Sequence, residues 1–218
     1  MKYAQSSVMF KEQFLAQMKT KVLACKDCPL YLKRKFPVIG QGNHSPVVMF
    51  IGEAAGDKEN ETGIPFSGTS KAMFDRAINS LGLDRKDIYC TILLKCKYDH
   101  STASETCFKR CSQHLFEQID LLQPKIICTM GHYPTKILLE HYENENYKKD
   151  VKDIHGESIL ISPIRKHKKH KVNYIPSSKL YVVPTFSTAE TKNFQIQEHI
   201  MSDMSMIKGL LSLLPILF

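Results

Sequence analysis

The chain is 218 residues long, with 43% hydrophobic and 24% charged residues, an ordinary globular composition with room for one domain and a sizeable core. Thirty Lys and Arg against 22 Asp and Glu give a net charge of +8, a field that favours a polyanionic partner such as nucleic acid. No run approaches the ~18–20 apolar residues of a membrane span, and Met1 to Gln5 opens without the apolar stretch of an export signal, so a cytoplasmic protein rather than a membrane or secreted one is expected.

In chain order, apolar runs at Val47–Ile51, Ile88–Leu94, Lys125–Met130 and Leu180–Val183 read as strands buried on both faces. Helical patterns lie between them near 70–81, 104–122 and 134–142, with another after Thr188. This alternation predicts a three-layer α/β/α fold around a central, mostly parallel sheet. In such sheets ligands bind beyond the carboxyl ends of the strands, where the loop from Gly52, the segment after Leu94 and the segment after Pro184 converge. Residues 142–153 are charged and read as a solvated connection, and the run Leu210–Phe218 is expected to pack on the domain or on a partner. The segment 163–177 reads as an insertion carrying the basic run Arg165, Lys166, His167, Lys168, Lys169, His170, Lys171. Such a run is either a solvated loop or a grip on the DNA backbone that adds salt-dependent affinity.

Seven cysteines without an export signal argue for metal binding or plain burial rather than disulfides. Cys25 and Cys28 form a C-x2-C, and downstream Cys96 and Cys111 bracket a return loop, together a set of four thiolates. That set suits a four-iron cluster or a structural zinc equally well on spacing alone. Cys90 and Cys128 sit inside apolar strands and read as small buried hydrophobes.

Taken with the cysteines, the glycine-bounded loop Gly52-Glu53-Ala54-Ala55-Gly56 and the element Gly63-Ile64-Pro65-Phe66-Ser67-Gly68 make the chain resemble the family 4, iron–sulfur uracil-DNA glycosylases. The resemblance runs in order from about Leu23 to Leu211, through Val38-Ile39-Gly40-Gln41-Gly42, Lys95-Cys96, Cys111, Gly131 and Val183-Pro184-Thr185-Phe186. It implies a single uracil-DNA glycosylase-like domain over 1–218, monomeric, holding a 4Fe-4S cluster on Cys25, Cys28, Cys96 and Cys111, and favours that cluster over zinc. It also implies a DNA partner from which a base is extruded and its N-glycosidic bond hydrolysed. Phe66 would then stack on the flipped base, backbone groups of Gly52, Ala54 and Gly56 would meet its oxygens, and Glu53 or Asp57 would orient the attacking water. Arg165, Lys166, Lys168, Lys169 and Lys171 would hold the DNA backbone.

Two departures fall on the chemistry. Ile92 stands at the base-binding position where the family carries a uracil-reading asparagine, and an isoleucine offers no hydrogen bond. Thr91 is adjacent, but strand alternation points it to the other face. Ser187-Thr188-Ala189 stands where the family has His-Pro-Ser, so Ser187 would have to stabilise the departing base in place of the histidine. Three readings follow: a glycosylase for uracil or another modified base, a non-catalytic DNA-binding module, or an interaction protein with a replication or repair partner.

Overall fold

The computed structural model describes residues 2–161, 179–190 and 193–217; the segment 163–177 with its basic run lies outside the described residues. A long helix, α1 (Lys2–Ala24), opens the chain and is followed by a 3-10 turn at Pro29–Leu32. The strands are β1 (Gln41–Gly42), β2 (Val48–Ala55), β3 (Tyr89–Lys97), β4 (Ile126–Met130), β5 (Ile159–Ile161) and β6 (Leu180–Thr185). Between and after them come α2 (Asp57–Thr62), α3 (Lys71–Ser80), α4 (Glu105–Leu122), α5 (His132–His141), α6 (Val151–Ile154) and α7 (Phe194–Leu217). The sheet order is β1-β3-β2-β4-β6-β5, with the inner four strands parallel and the two short edge strands antiparallel to their neighbours.

All four strands read from apolar runs are present, and their alternation builds the three layers. Met49, Ile51, Leu93, Ile127 and Val182 point to one face, where they meet Leu115 and Ile119 of α4 and Leu138 of α5. Val48, Phe50, Cys90, Ile126, Cys128 and Val183 point to the other, against Phe74 and Ile78 of α3 and Ile200, Met204 and Ile207 of α7. Each side chain so buried contributes about 1.5–3 kcal/mol relative to exposure. Cys90 and Cys128 are fully buried members of the second core and act as the small hydrophobes their positions suggest. In the tail, Leu210 is buried and Leu211 and Leu214 pack against the same core, whereas Leu213 faces solvent.

The sequence reading missed α1 and the two edge strands, which are too short for a period-two pattern to register. The charged connection 142–153 is more ordered than its composition suggests. A 3-10 turn at Glu145–Lys148 is capped by the Asn144 side chain, α6 is capped by Asp150, and Val151 and Ile154 are buried. Two apolar residues three apart anchor a stretch that is otherwise polar.

The parallel core places the site. The chain leaves β2 for β3 on one side and later returns to β4 on the other, so β2 and β4 flank the point where the winding reverses. Open α/β sheets bind ligands in the crevice beyond the carboxyl ends at such a point.

A candidate active site and a candidate metal centre

At that crevice lies a cavity of about 420 Å³. It is lined by the whole Gly52–Gly56 segment, Phe66, Ile92 and Ser187, and also by Glu59, Tyr98, His100, Phe108, Tyr133 and Glu190. Gly52 to Ala55, expected as a loop, continue β2 and pair with β3; this strand end with Gly56, the element at 63–68, the middle of β3 and the segment after β6 are thus brought together. Asp57 is not: its side chain faces solvent and pairs with Lys97. Thr91 points away, as alternation requires, and its hydroxyl donates to Ile39 O at 2.9 Å. The aromatic and imidazole groups of Tyr98, Tyr133 and His100 carried no signal in the sequence, because nothing local marks a residue that reaches a cavity from a different loop.

Phe66 is held on all sides. Its ring stacks on Phe74 at 4.0 Å and 3°, and a Cβ on Gly52 would lie 2.9 Å from two of its ring carbons. Its backbone takes φ +52, a left-handed conformation uncommon for a bulky residue. Two anchors hold that turn. Glu59, buried at the middle of α2, accepts from the backbone N–H groups of Ser67 at 2.8 Å and Gly68 at 2.7 Å. Arg85 donates to the carbonyls of Pro65 at 3.0 Å and Phe66 at 2.7 Å while pairing with Asp75 at 2.7 Å. A second aromatic wall faces the cavity, Tyr133 stacked on Phe108 at 4.0 Å with Tyr98 beside it.

Glu53 is a half-buried carboxylate of the cavity, at the carboxyl end of β2. Its Oε1 accepts from the backbone N–H of Tyr133 at 3.2 Å, in the first turn of α5. Burial raises its pKa above the ordinary value; the Tyr133 N–H and the His132 charge oppose that rise, and Glu190 adds to it. A carboxylate tuned upward in a cleft is suited to taking a proton from water. Ser187 Oγ accepts from the Ala189 N–H at 3.3 Å, which leaves its own proton available to donate. Ile92 is 2% exposed, packed with Val38 and Ala55, and presents only methyl groups to the cavity.

A second pocket shares no lining residue with the first. Cys25, Cys28, Cys96 and Cys111 all line it, together with Arg34 and His114. Cys25 follows the end of α1, Cys28 precedes the 3-10 turn, and Cys111 lies in the second turn of α4. Cys96 is aimed there by an irregularity of β3: Ala54 pairs with Leu94 and Ala55 with Lys97, so Lys95 and Cys96 stand opposite no partner. Every cysteine of the chain is free. Burial pushes the Cys28 thiol up to about 11 and Cys111 up to about 12, and raises Cys25 and Cys96 as well, so without a cation these thiols stay protonated. Donors aimed at the sulfurs are already in place: the Lys95 backbone N–H reaches Cys111 Sγ at 3.3 Å, and the Arg34 guanidinium reaches Cys96 Sγ at 3.7 Å. A four-thiolate set with N–H donors to its sulfurs fits an iron–sulfur cluster.

Cys107, one helical turn before Cys111, is a fifth thiol near this group, itself buried, and neighbours Cys28. Beside the pocket Lys95 is itself fully buried, with no carboxylate among its hydrogen-bond partners. Its ammonium donates to Thr91 Oγ1 at 2.6 Å and Gln118 Oε1 at 2.8 Å, and burial lowers its pKa to about 7.

Comparison with known proteins bears on both sites. Residues 39–198 match the family model described as the uracil DNA glycosylase superfamily. The chain is 32% identical over 173 residues to the Type-4 uracil-DNA glycosylase of Sulfurisphaera tokodaii, covering 77% of this chain and 76% of that one. To the protein of the same name from Saccharolobus solfataricus it is 33% identical over 190 residues, covering 83% and 84%. To that of Thermotoga maritima it is 25% identical over 177 residues, covering 81% and 82%. Among the described residues no helix is long and apolar enough to cross a membrane.

Proposed function

The chain belongs to the uracil DNA glycosylase superfamily, among its type-4 members, and from that premise we propose that it is a DNA-repair glycosylase that hydrolyses the N-glycosidic bond of uracil or another modified base. The observation that carries this reading is the convergence of Glu53, Phe66, the Gly52–Gly56 backbone and Ser187 on one cavity at the switch point of the sheet.

The target bond is out of reach in a stacked duplex, so the nucleotide is extruded into the cavity at a cost of about a few kcal/mol. Phe66, fixed by Phe74, Glu59 and Arg85, supplies an aromatic face at no ordering cost, and Tyr133 lines the same cavity. Glu53 takes a proton from a water as that water attacks C1′ of the deoxyribose. The C1′–N bond breaks with its electron pair going to the base. Negative charge on the departing base is met by the Ser187 hydroxyl and by backbone N–H groups at the carboxyl end of β2, and the base is then protonated from solvent. The Ile92 methyls pack against the base instead of reading its edge, so selectivity rests on shape and on the Gly52–Gly56 backbone.

Cys25, Cys28, Cys96 and Cys111 would hold the iron–sulfur cluster, whose contribution when bound is to cross-link the end of α1, β3 and α4. Its pocket shares no residue with the base cavity, so the cluster would bear on catalysis through the elements that reach both, β3 and α4, the latter carrying Cys111 and Phe108. DNA is the partner, drawn by the net charge of +8 and by Arg165, Lys166, Lys168, Lys169 and Lys171.

The test is an assay of the purified chain on uracil-containing single- and double-stranded oligonucleotides, scored for abasic-site cleavage and for retarded complexes. Excision above the enzyme-free control that disappears in Glu53→Gln while retardation persists supports the reading. Retardation without excision by the native chain overturns it in favour of a DNA-binding module, the alternative that the methyl groups of Ile92 at the base position favour.

A further inference from the structure

His114 is 1% exposed, and neither of its ring nitrogens has a hydrogen-bond partner. Leaving one buried polar atom unsatisfied costs about 1–3 kcal/mol, and a native core rarely leaves two on the same ring. The ring lines the four-cysteine pocket, and its ligand nitrogen, Cys25 Sγ and a carboxylate oxygen of Asp27 all lie within 4.8 Å of one another.

The surroundings hold this group rigidly. Arg110, four residues before His114 on α4, donates to the Asp27 carbonyl at 2.7 Å, and Gln113 Nε2 donates to Asp27 Oδ2 at 2.9 Å. The Cys25–Cys28 loop is therefore clamped to the helix that carries His114. A buried imidazole with both nitrogens unengaged, held beside a cysteine sulfur, is placed to ligate a metal.

Resting on the iron–sulfur reading above, we propose that His114 is a reserve ligand for the iron that Cys25 serves, its imidazole held beside the Cys25 thiolate. His114 takes that iron when the Cys25 sulfur is removed: one iron–thiolate bond is replaced by one iron–nitrogen bond, with no change in iron oxidation state. A neutral imidazole in place of an anionic thiolate makes the cluster less negative, so its reduction potential rises, the direction seen when histidine replaces cysteine on iron in other clusters.

The experiment uses the full chain purified without oxygen, with iron and acid-labile sulfide counted per chain, electron paramagnetic resonance after reduction, and the reduction potential. Four irons are expected in the native chain and in Cys25→Ala, the latter at a more positive potential, whereas Cys96→Ala and Cys25→Ala/His114→Phe lose the corner iron or the whole cluster. A Cys25→Ala protein that loses iron as completely as the double variant overturns the proposal, as does a double variant that keeps all four irons. If Cys25→Ala fails to fold, pulsed resonance of Cys25→Ser decides. A histidine-nitrogen coupling that vanishes in Cys25→Ser/His114→Phe supports the assignment, and no such coupling in Cys25→Ser overturns it. A native chain with no iron or sulfide would instead sink the cluster reading itself, an outcome distinct from an iron-loaded chain in which His114 proves silent.

Discussion

The Cβ that Gly131 lacks would sit 2.7 Å from Glu53 Oε2. With φ at +115, Gly131 turns the chain from β4 into α5 so that the helix N-terminus faces the Glu53 carboxylate without a side chain between them. Gly131→Ala meets both obstacles, the left-handed backbone and the clash. It is expected to lower stability by about 1–3 kcal/mol and to suppress excision, measured by denaturant unfolding and by the oligonucleotide assay.

Glu53 also makes a pH prediction with a definite sign. Its folded pKa lies above the ordinary value of 4.5, so the folded chain binds the extra proton between the two. The stability tied to that proton is complete below the ordinary value and drains away as pH rises through the raised one. Glu53→Gln has no such loss. Its melting temperature should match the native chain at the acid end and exceed it increasingly toward neutrality, while the native chain's excision rate climbs over the same window. Parallel melting curves at every pH would show that Glu53 is not the acid whose pKa this cavity raises.

Restoring the missing polar groups tests whether specificity sits where the geometry puts it. Ile92→Asn with Ser187→His should raise uracil excision by orders of magnitude, since a site that hydrogen-bonds its substrate discriminates far better than an apolar one. Ile92→Asn alone is expected to lower stability by about 1–3 kcal/mol, because the new amide enters a packed cluster with Val38 and Ala55. No gain in excision from the pair would mean that the cavity serves a different base.

Glu59 positions Phe66 through the backbone of Ser67 and Gly68. Glu59→Ala strips two backbone donors, those of Ser67 and Gly68, of their acceptor. We expect a loss of about 1–3 kcal/mol in unfolding free energy and weaker binding of base-containing DNA, with the affinity for abasic DNA unchanged. Equal losses for both DNAs would detach Glu59 from the base platform.

Cys96→Ser and Cys111→Ser should each abolish the visible absorbance of the cluster and lower the melting temperature, because metal binding and folding are coupled when ligands come from distant segments. An unchanged melting temperature would mean that α1, β3 and α4 are held by packing alone.

Salt separates the electrostatic part of DNA binding from the pocket. Replacing Arg165, Lys166, Lys168, Lys169 and Lys171 with Gln should flatten the logarithmic dependence of affinity on salt by about 0.9 for each phosphate that is no longer neutralised. An unchanged slope, measured by titration at several salt concentrations, would show that these side chains do not meet the DNA.

Some of this protein was determined by the sequence itself. The apolar runs at β2, β3, β4 and β6 could satisfy their burial only as inner strands, and the C-x2-C with Cys96 and Cys111 defined a thiolate set, because strand burial and ligand chemistry are local properties of residue type. What reaches a cavity is not local. Asp57 and Glu53 sit four residues apart in one stretch, yet only Glu53 turns inward, because α2 begins at Asp57 and carries its side chain to Lys97. Tyr98, His100 and Tyr133 enter the same cavity from segments that no sequence period connects. The slip of register that aims Cys96, and the packing of His114 against Cys25 with no partner for its nitrogens, exist only once α4 is laid on β3. Those choices belong to the tertiary structure, since they depend on which surfaces the parallel sheet brings together.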